Sequence, residues 1–284
     1  MRALKIGFIG AGNMGRALIA GLLRSGARAE DIGVGEPVAA ARDSLLQDFG
    51  ILATADNALA VAQSDVVVFA VKPQQMSEVL TPLAPALAQR RPLLLSIAAG
   101  VRIADLQRCS GADIAVVRAM PNRPALVGAG ASGLFGSDNA SPTQRDIAER
   151  VLRSCGVVVW VEREELIDTV TALSGSGPAY FFLLTEAMAE AAVQLGLDAK
   201  AARALAIATL NGAGTMALQS DGDLVRLRRE VTSKGGTTEA ALQVFDAADL
   251  RGMVARAVAA AAARGRELAE QFAQASNHRS EPVR

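Results

Sequence analysis

The chain has 284 residues, 51% of them apolar, enough for two domains and a sizeable core. Its 29 basic and 29 acidic residues balance, which argues against general nucleic-acid binding, since that draws on a basic surface. No apolar run reaches the roughly 20 residues that span a bilayer. The N-terminus, Met1-Arg2-Ala3-Leu4-Lys5, enters a strand-like run without a secretory h-region. Cys109 and Cys155 are too few and too far apart for a disulfide framework, so a cytoplasmic protein with two reduced thiols is expected.

In chain order, residues 6–10, 32–35, 66–71, 93–97 and 114–120 are short apolar runs suited to buried parallel strands. Residues 13–25, 38–49, 74–88 and 103–108 between them have helical periodicity. This alternation predicts a parallel sheet covered on both faces. A glycine-rich segment follows (Gly128, Gly130, Gly133, Gly136), then a helix over 141–154 and a last strand over 157–161. Beyond about residue 163 the pattern becomes alanine- and leucine-rich, with helices over 178–195, 199–218, 237–247 and 250–273. Pro178 suits a first helical turn. The expected division is an α/β domain over 1–162, an all-helical domain over 163–275 and a flexible tail over 276–284.

Gly10-Ala11-Gly12-Asn13-Met14-Gly15 follows the first strand, after Ile9, and opens the first helix. Gly10 makes the tight turn, Gly12 admits a pyrophosphate to the backbone, and Gly15 lets helix and sheet approach. The context reads as dinucleotide binding. Glu36 ends the second strand, where an acid accepts from ribose hydroxyls and repels a 2′-phosphate. That leans toward NAD, while Arg42 on the next helix offsets part of the repulsion and keeps NADP open. The strand ends Ala70-Val71-Lys72-Pro73 and Ser96-Ile97-Ala98-Ala99-Gly100 line the same crevice, because ligands in such sheets bind beyond the carboxyl ends of strands. Lys72 offers a charge-assisted contact or is a solvated surface lysine. Ala98 and Ala99 are small enough to let a nicotinamide lie against backbone.

Late in the chain, Val231-Thr232-Ser233-Lys234-Gly235-Gly236-Thr237-Thr238-Glu239 runs into an apolar-periodic helix. Unpaired N–H groups at such a helix start can seat a carboxylate or phosphate. Thr237 or Thr238 could equally be a helix cap, worth roughly 1 kcal/mol. The only histidine, His278, lies in the expected tail, so a histidine base is nearly excluded. Neither cysteine occupies an evident activating site, and no metal-ligand spacing is present. Tyr180, beside Phe181 and Phe182, and Trp160 at a strand end read as packing residues.

These stretches, with Arg118-Ala119-Met120-Pro121-Asn122-Arg123-Pro124 and Leu173-Ser174-Gly175-Ser176-Gly177-Pro178-Ala179-Tyr180, closely resemble the pyrroline-5-carboxylate reductases, from Ile6 to about Phe272. The resemblance implies a Rossmann-like doubly wound domain plus an all-helical dimerisation domain. It implies homo-oligomers, either dimers or rings of dimers, and hydride transfer from NADPH or NADH to 1-pyrroline-5-carboxylate, giving L-proline. It also implies that Ser233, Gly235, Gly236 and Thr237 hold the substrate carboxylate, that Thr238 meets the ring nitrogen, that Glu164 contacts the substrate, and that Asn57 helps at the adenosine side. Many members carry proline where this chain has Lys234, and NADP-preferring members carry serine or a basic residue near Glu36.

Imine reduction suits a site without a strong base. The substrate nitrogen can carry its own proton, so orientation, one hydrogen bond and a carboxylate clamp suffice. Two other readings are a β-hydroxyacid dehydrogenase and a non-catalytic nucleotide sensor. The first needs a lysine on its interdomain helix, and 173–178 contains none. The alanine- and leucine-rich half implies an apolar face that marks an interface.

Overall fold

The computed structural model describes residues 4–111 and 113–278. Of the described residues, those up to Gly175 and those from Ala261 form one compact unit; Ser176–Ala260 form a second. Residues 163–175 and the end of the last helix therefore pack with the sheet.

The first unit is built on β1 (Ile6–Ile9), α1 (Asn13–Arg24), β2 (Ile32–Gly35), α2 (Ala39–Phe49), β3 (Ala53–Thr54), α3 (Asn57–Ala62) and β4 (Val66–Phe69). It continues through α4 (Met76–Leu80), α5 (Ala84–Arg90), β5 (Leu93–Ser96), α6 (Ile103–Ser110), β6 (Val116–Met120), β7 (Gly130–Gly136), α7 (Pro142–Arg153), β8 (Gly156–Trp160) and α8 (Leu166–Val170). The eight strands lie in the order β3-β2-β1-β4-β5-β6-β7-β8. Every pair is parallel except β6 with β7.

The near-continuous apolar strands are explained by burial on both faces. Alternate residues face opposite sides, so Phe8, Val66, Val68, Leu93 and Leu95 join one core cluster. Ile9, Val67, Phe69, Leu94 and Val116 join the other. The chain winds outward from β1 through β2 and β3, then returns to place β4 on the other side of β1. That reversal opens a crevice at the carboxyl ends of β1 and β4.

Three local readings needed correction. The single helix expected over 74–88 is divided into a 3₁₀ turn Pro73–Gln75, α4, a second 3₁₀ turn Thr81–Leu83 and α5. Pro82 and Pro85 each occupy a first turn and cannot donate the backbone bond that a continuous helix needs. The glycine-rich segment is a strand, β7. A Cβ on Gly133 would come within 2.6 Å of Val170, and one on Gly130 within 2.8 Å of the Cys155 carbonyl. Glycine is there for close approach, which a propensity reading takes for a loop. The short β3 and α3 were not anticipated; Asp56 caps α3 by accepting from Ala58 N–H at 2.9 Å.

The second unit contains α9 (Gly177–Gln194), α10 (Ala199–Gln219), α11 (Leu224–Glu230), α12 (Thr237–Ala247) and the start of α13 (Leu250–His278). The end of α13 enters the stretch expected as a tail; 279–284 lie outside the described residues. Asp198 and Asp223 cap α10 and α11. The packing role expected for Tyr180 and its neighbours is not met within the single chain. Phe181 and Phe182 are 59% and 63% exposed and Tyr180 is half-buried. Trp160 does pack: its indole N–H donates to Glu149 at 2.7 Å, and Arg145 lies over the ring. Among the described residues, no helix is long and apolar enough to cross a membrane.

Candidate active site

The register aligns four strand ends around the crevice. Ile9 pairs with Gly35 and with Phe69, and Phe69 pairs with Ser96. Gly10 turns the chain there with φ +84°, and a Cβ would meet Val71 at 2.9 Å. Gly15 packs so closely that a Cβ would lie 3.0 Å from the Gly10 carbonyl. Gly12 has nothing within 4 Å and is the N-cap of α1, with no side chain capping the helix. Arg16 N–H is the first to find an intrahelical acceptor, the Gly12 carbonyl at 2.9 Å. The N–H groups of Asn13, Met14 and Gly15 are left for a ligand, and the helix end favours an anion.

Glu36 is buried beside this turn. Its Oε2 accepts from Ala11 N–H at 3.1 Å and its Oε1 from Val38 N–H at 3.0 Å. Arg42 donates to the carbonyls of Glu36 and Pro37 at 2.9 and 2.8 Å. Asn57 follows the Asp56 cap and lies against Gly35. Its Oδ1 is buried and, among the described residues, has no hydrogen-bond partner. An orphaned acceptor, an uncapped helix start and an open glycine together fit a dinucleotide. At the next strand ends, Ala70 N–H donates to the Ile9 carbonyl at 2.9 Å, and Ile97 N–H to the Phe69 carbonyl at 3.2 Å. Lys72 is exposed, Pro73 opens the 3₁₀ turn, Ile97 is half-buried, Ala98 is buried and Ala99 is exposed.

At the start of α6 lies a charged group of which the sequence reading assigned a role to Glu164 alone. Arg118, 3% exposed, stands on β6 opposite Ser96 and donates to Glu164 Oε1 at 2.8 Å. The same oxygen accepts from Ile103 N–H, the first residue of α6, at 2.8 Å. A carboxylate at a helix start is favourable. Asp168 is buried nearby. Desolvation pushes its carboxyl above the ordinary range, against the opposing pull of Arg118, Arg102 and Arg266. The available signal was an arginine inside the strand Val116-Val117-Arg118-Ala119-Met120, where burial demands a partner. Asn122 ties two neighbouring segments, donating to the Ser174 carbonyl at 3.0 Å and accepting from Ala131 N–H at 2.8 Å.

The second unit carries the hydroxyl-rich loop. Gly236 N–H donates to the Ser233 carbonyl at 3.0 Å, and Gly235 has φ +71°. This is a type II turn with Lys234 at its second position. Gly235 N–H donates to Glu239 at 2.7 Å. Gly236 is the N-cap of α12, without a side-chain cap bond. The capping alternative for Thr237 and Thr238 therefore fails: they are the first two helical residues. The first acceptor within the helix serves Ala240 N–H at 3.2 Å. The N–H groups of Thr237, Thr238 and Glu239 are thus open to an anion.

Proline is favoured at the second position of a type II turn. Lys234→Pro is therefore expected to stabilise the chain by about 0.4–1 kcal/mol, raising Tm by about 1–3 °C. A lowered melting temperature would show that Lys234 does not have a proline-compatible backbone.

A family model described as pyrroline-5-carboxylate reductase dimerisation matches residues 164–268. Another, described as NADP oxidoreductase coenzyme F420-dependent, matches residues 5–100. A pyrroline-5-carboxylate reductase of Pseudomonas aeruginosa is 46% identical, the alignment covering 96% of this chain and 100% of that one. The structure of a pyrroline-5-carboxylate reductase from Coxiella burnetii is similar with a TM-score of 0.91 at 41% identity, covering 94% of this chain and 99% of that one. That of a Plasmodium falciparum pyrroline carboxylate reductase with NADP bound has a TM-score of 0.81 at 29% identity, covering 95% and 99%.

Proposed function

Because the chain belongs to the pyrroline-5-carboxylate reductase family, we propose how its residues divide the work of the reaction. The protein is an NAD(P)-dependent oxidoreductase that reduces the C=N bond of 1-pyrroline-5-carboxylate to give L-proline. The domain division proposed for this work lies between residues 162 and 163, supported by the match of the dimerisation model to 164–268.

Ile9, Gly10, Ala11, Gly12, Asn13, Met14 and Gly15 hold the cofactor pyrophosphate on the open start of α1. Glu36 and Asn57 take the adenosine ribose, where Asn57 Oδ1 awaits a donor. Ala70, Val71, Lys72 and Pro73, with Ile97, Ala98 and Ala99, take the nicotinamide half. The bound nicotinamide supplies the hydride. Thr237 clamps the substrate carboxylate through the uncapped N–H groups that open α12, and Ser233, Gly235 and Gly236 complete the clamp from the turn before it. Glu164 contacts the substrate through Oε2, since Oε1 is tied to Arg118 and Ile103. Thr238 hydrogen-bonds the ring nitrogen, which receives the C=N electron pair as hydride reaches carbon. A hydroxyl there serves as donor or as conduit for the proton that nitrogen needs.

The observation that carries this assignment is a helix start flanked by hydroxyls that do not cap it. It is tested by following NADH and NADPH absorbance with 1-pyrroline-5-carboxylate and with 1-pyrroline, which lacks the carboxylate. Loss of charge-assisted bonds of about 1.5–3 kcal/mol predicts kcat/KM lower by about 10–10²-fold for 1-pyrroline. Equal values would remove the clamp from the mechanism.

The exposed apolar residues of the second unit, Phe181, Phe182, Leu183 and Leu205 among them, support a homodimer, alone or as the unit of a ring of dimers. The cytoplasm is the proposed compartment, supported by the free thiols Cys109 and Cys155.

A further inference from the structure

The loop that follows β2 has few groups left with which to bind a phosphate. Glu36 is 9% exposed, and its two oxygens are held by the N–H groups of Ala11 and Val38. Pro37 has no N–H to offer. Val38 N–H is already engaged by Glu36. The guanidinium of Arg42 is anchored on the carbonyls of Glu36 and Pro37. Arg16, the other cation close to α2, pairs with Asp48 and lies over the Phe49 ring. Beside Gly35, Asn57 holds a buried oxygen that has no hydrogen-bond partner among the described residues, and Asp56, its neighbour in the chain, adds a second carboxylate.

The chemistry of this corner is one of acceptors. A ribose hydroxyl donates, so it can satisfy Glu36 or Asn57 Oδ1. A 2′-phosphate is an anion that mainly accepts. It would meet the Glu36 charge and leave Asn57 Oδ1 unpaired, and a buried unpaired polar group is unfavourable. The arrangement rejects the phosphorylated ribose by repulsion as well as by missing contacts.

We propose that Glu36, with Pro37 and Asn57, makes this reductase select NADH over NADPH. The inference rests on reading the crevice as the cofactor site, and the two can fail separately. The full-length chain is titrated with NADH and NADPH by intrinsic cofactor fluorescence, and with NAD⁺ and NADP⁺ by calorimetry. NADPH is expected to bind about tenfold or more weakly than NADH, a difference typical of a like-charge contact. Glu36→Ser removes the carboxylate and frees Val38 N–H, so it should narrow that ratio by about tenfold. Glu36→Gln, neutral and of the same shape, provides the test if the serine variant folds poorly. Equal or tighter binding of NADPH by the unaltered chain would overturn the selection while leaving the cofactor site intact. A ratio unmoved by both Glu36 variants would also overturn it. Binding of neither nucleotide would overturn the cofactor-site reading itself.

Discussion

Thr238→Ala is expected to lower kcat with 1-pyrroline-5-carboxylate by about 10²-fold, at the lower end of what a positioned proton donor contributes. The lower end follows from the chemistry: the imine nitrogen can arrive protonated, so the hydroxyl orients and relays rather than ionises. The structure also separates this loss from instability. Thr238 is the second residue of α12, the N-cap is Gly236, and no side chain makes a cap bond. Removing the hydroxyl therefore deletes no cap, whose loss would be worth about 1 kcal/mol. The melting temperature should stay close to that of the unaltered chain, and the dissociation constant for NADH should not move. Thr238→Ser, which keeps the hydroxyl, should recover most of the rate. A kcat for the alanine variant within about threefold of the original would remove Thr238 from the proton path.

The parts legible in the sequence and the parts that were not differ for physical reasons. The strands Val66–Phe69 and Leu93–Ser96 are short apolar runs between turn residues, and burial on both faces leaves few other ways to read them. The Gly10–Gly15 turn was equally readable, because glycine is required where φ is positive and where a helix approaches a strand. By the same token β7 was hidden: its glycines serve close packing against Val170 and Cys155, and low strand propensity conceals that. The loop 233–238 was recognisable as an anion cradle from its glycines and hydroxyls. Its type II turn, and hence the meaning of Lys234, required the backbone. In α9, apolar residues such as Phe181, Phe182 and Leu183 occupy consecutive positions rather than one face. A helix apolar all round reads as buried, yet the chain by itself leaves these side chains exposed.

Arg118 gives the strongest expected loss of stability. It is almost wholly buried and shares Glu164 Oε1 with Ile103 N–H. Arg118→Met keeps the apolar volume but leaves Glu164 without its ion-pair partner and Asp168 without the first of the cations that act on it. Breaking a buried pair in this way is worth about 3–5 kcal/mol. The deficit should depend on pH, and Asp168 gives its sign. Burial already raises its carboxyl above the ordinary value, and Arg118 is the first of the groups that oppose this. The folded state therefore binds a proton more tightly than the unfolded state. Its contribution is fully present below the unfolded pKa and is lost as pH rises through the folded one. Without Arg118 the carboxyl rises further, so the variant should be weakest at neutral pH and should approach the unaltered chain as pH falls toward about 4. Adding Glu164→Gln to Arg118→Met should restore part of the stability, since it removes one stranded charge. The pair also holds the first turn of α6 at Ile103, and the chain leads from there back to Ala98 and Ala99, proposed for the nicotinamide. Weaker NADH binding should therefore accompany the stability loss and should not be recovered by the double variant, because glutamine holds Ile103 N–H less strongly than a carboxylate does. Urea unfolding at several pH values, with NADH titrations beside it, measures both. A loss below about 1 kcal/mol that is the same at every pH would show that Arg118 is not the counter-charge on which these acids depend.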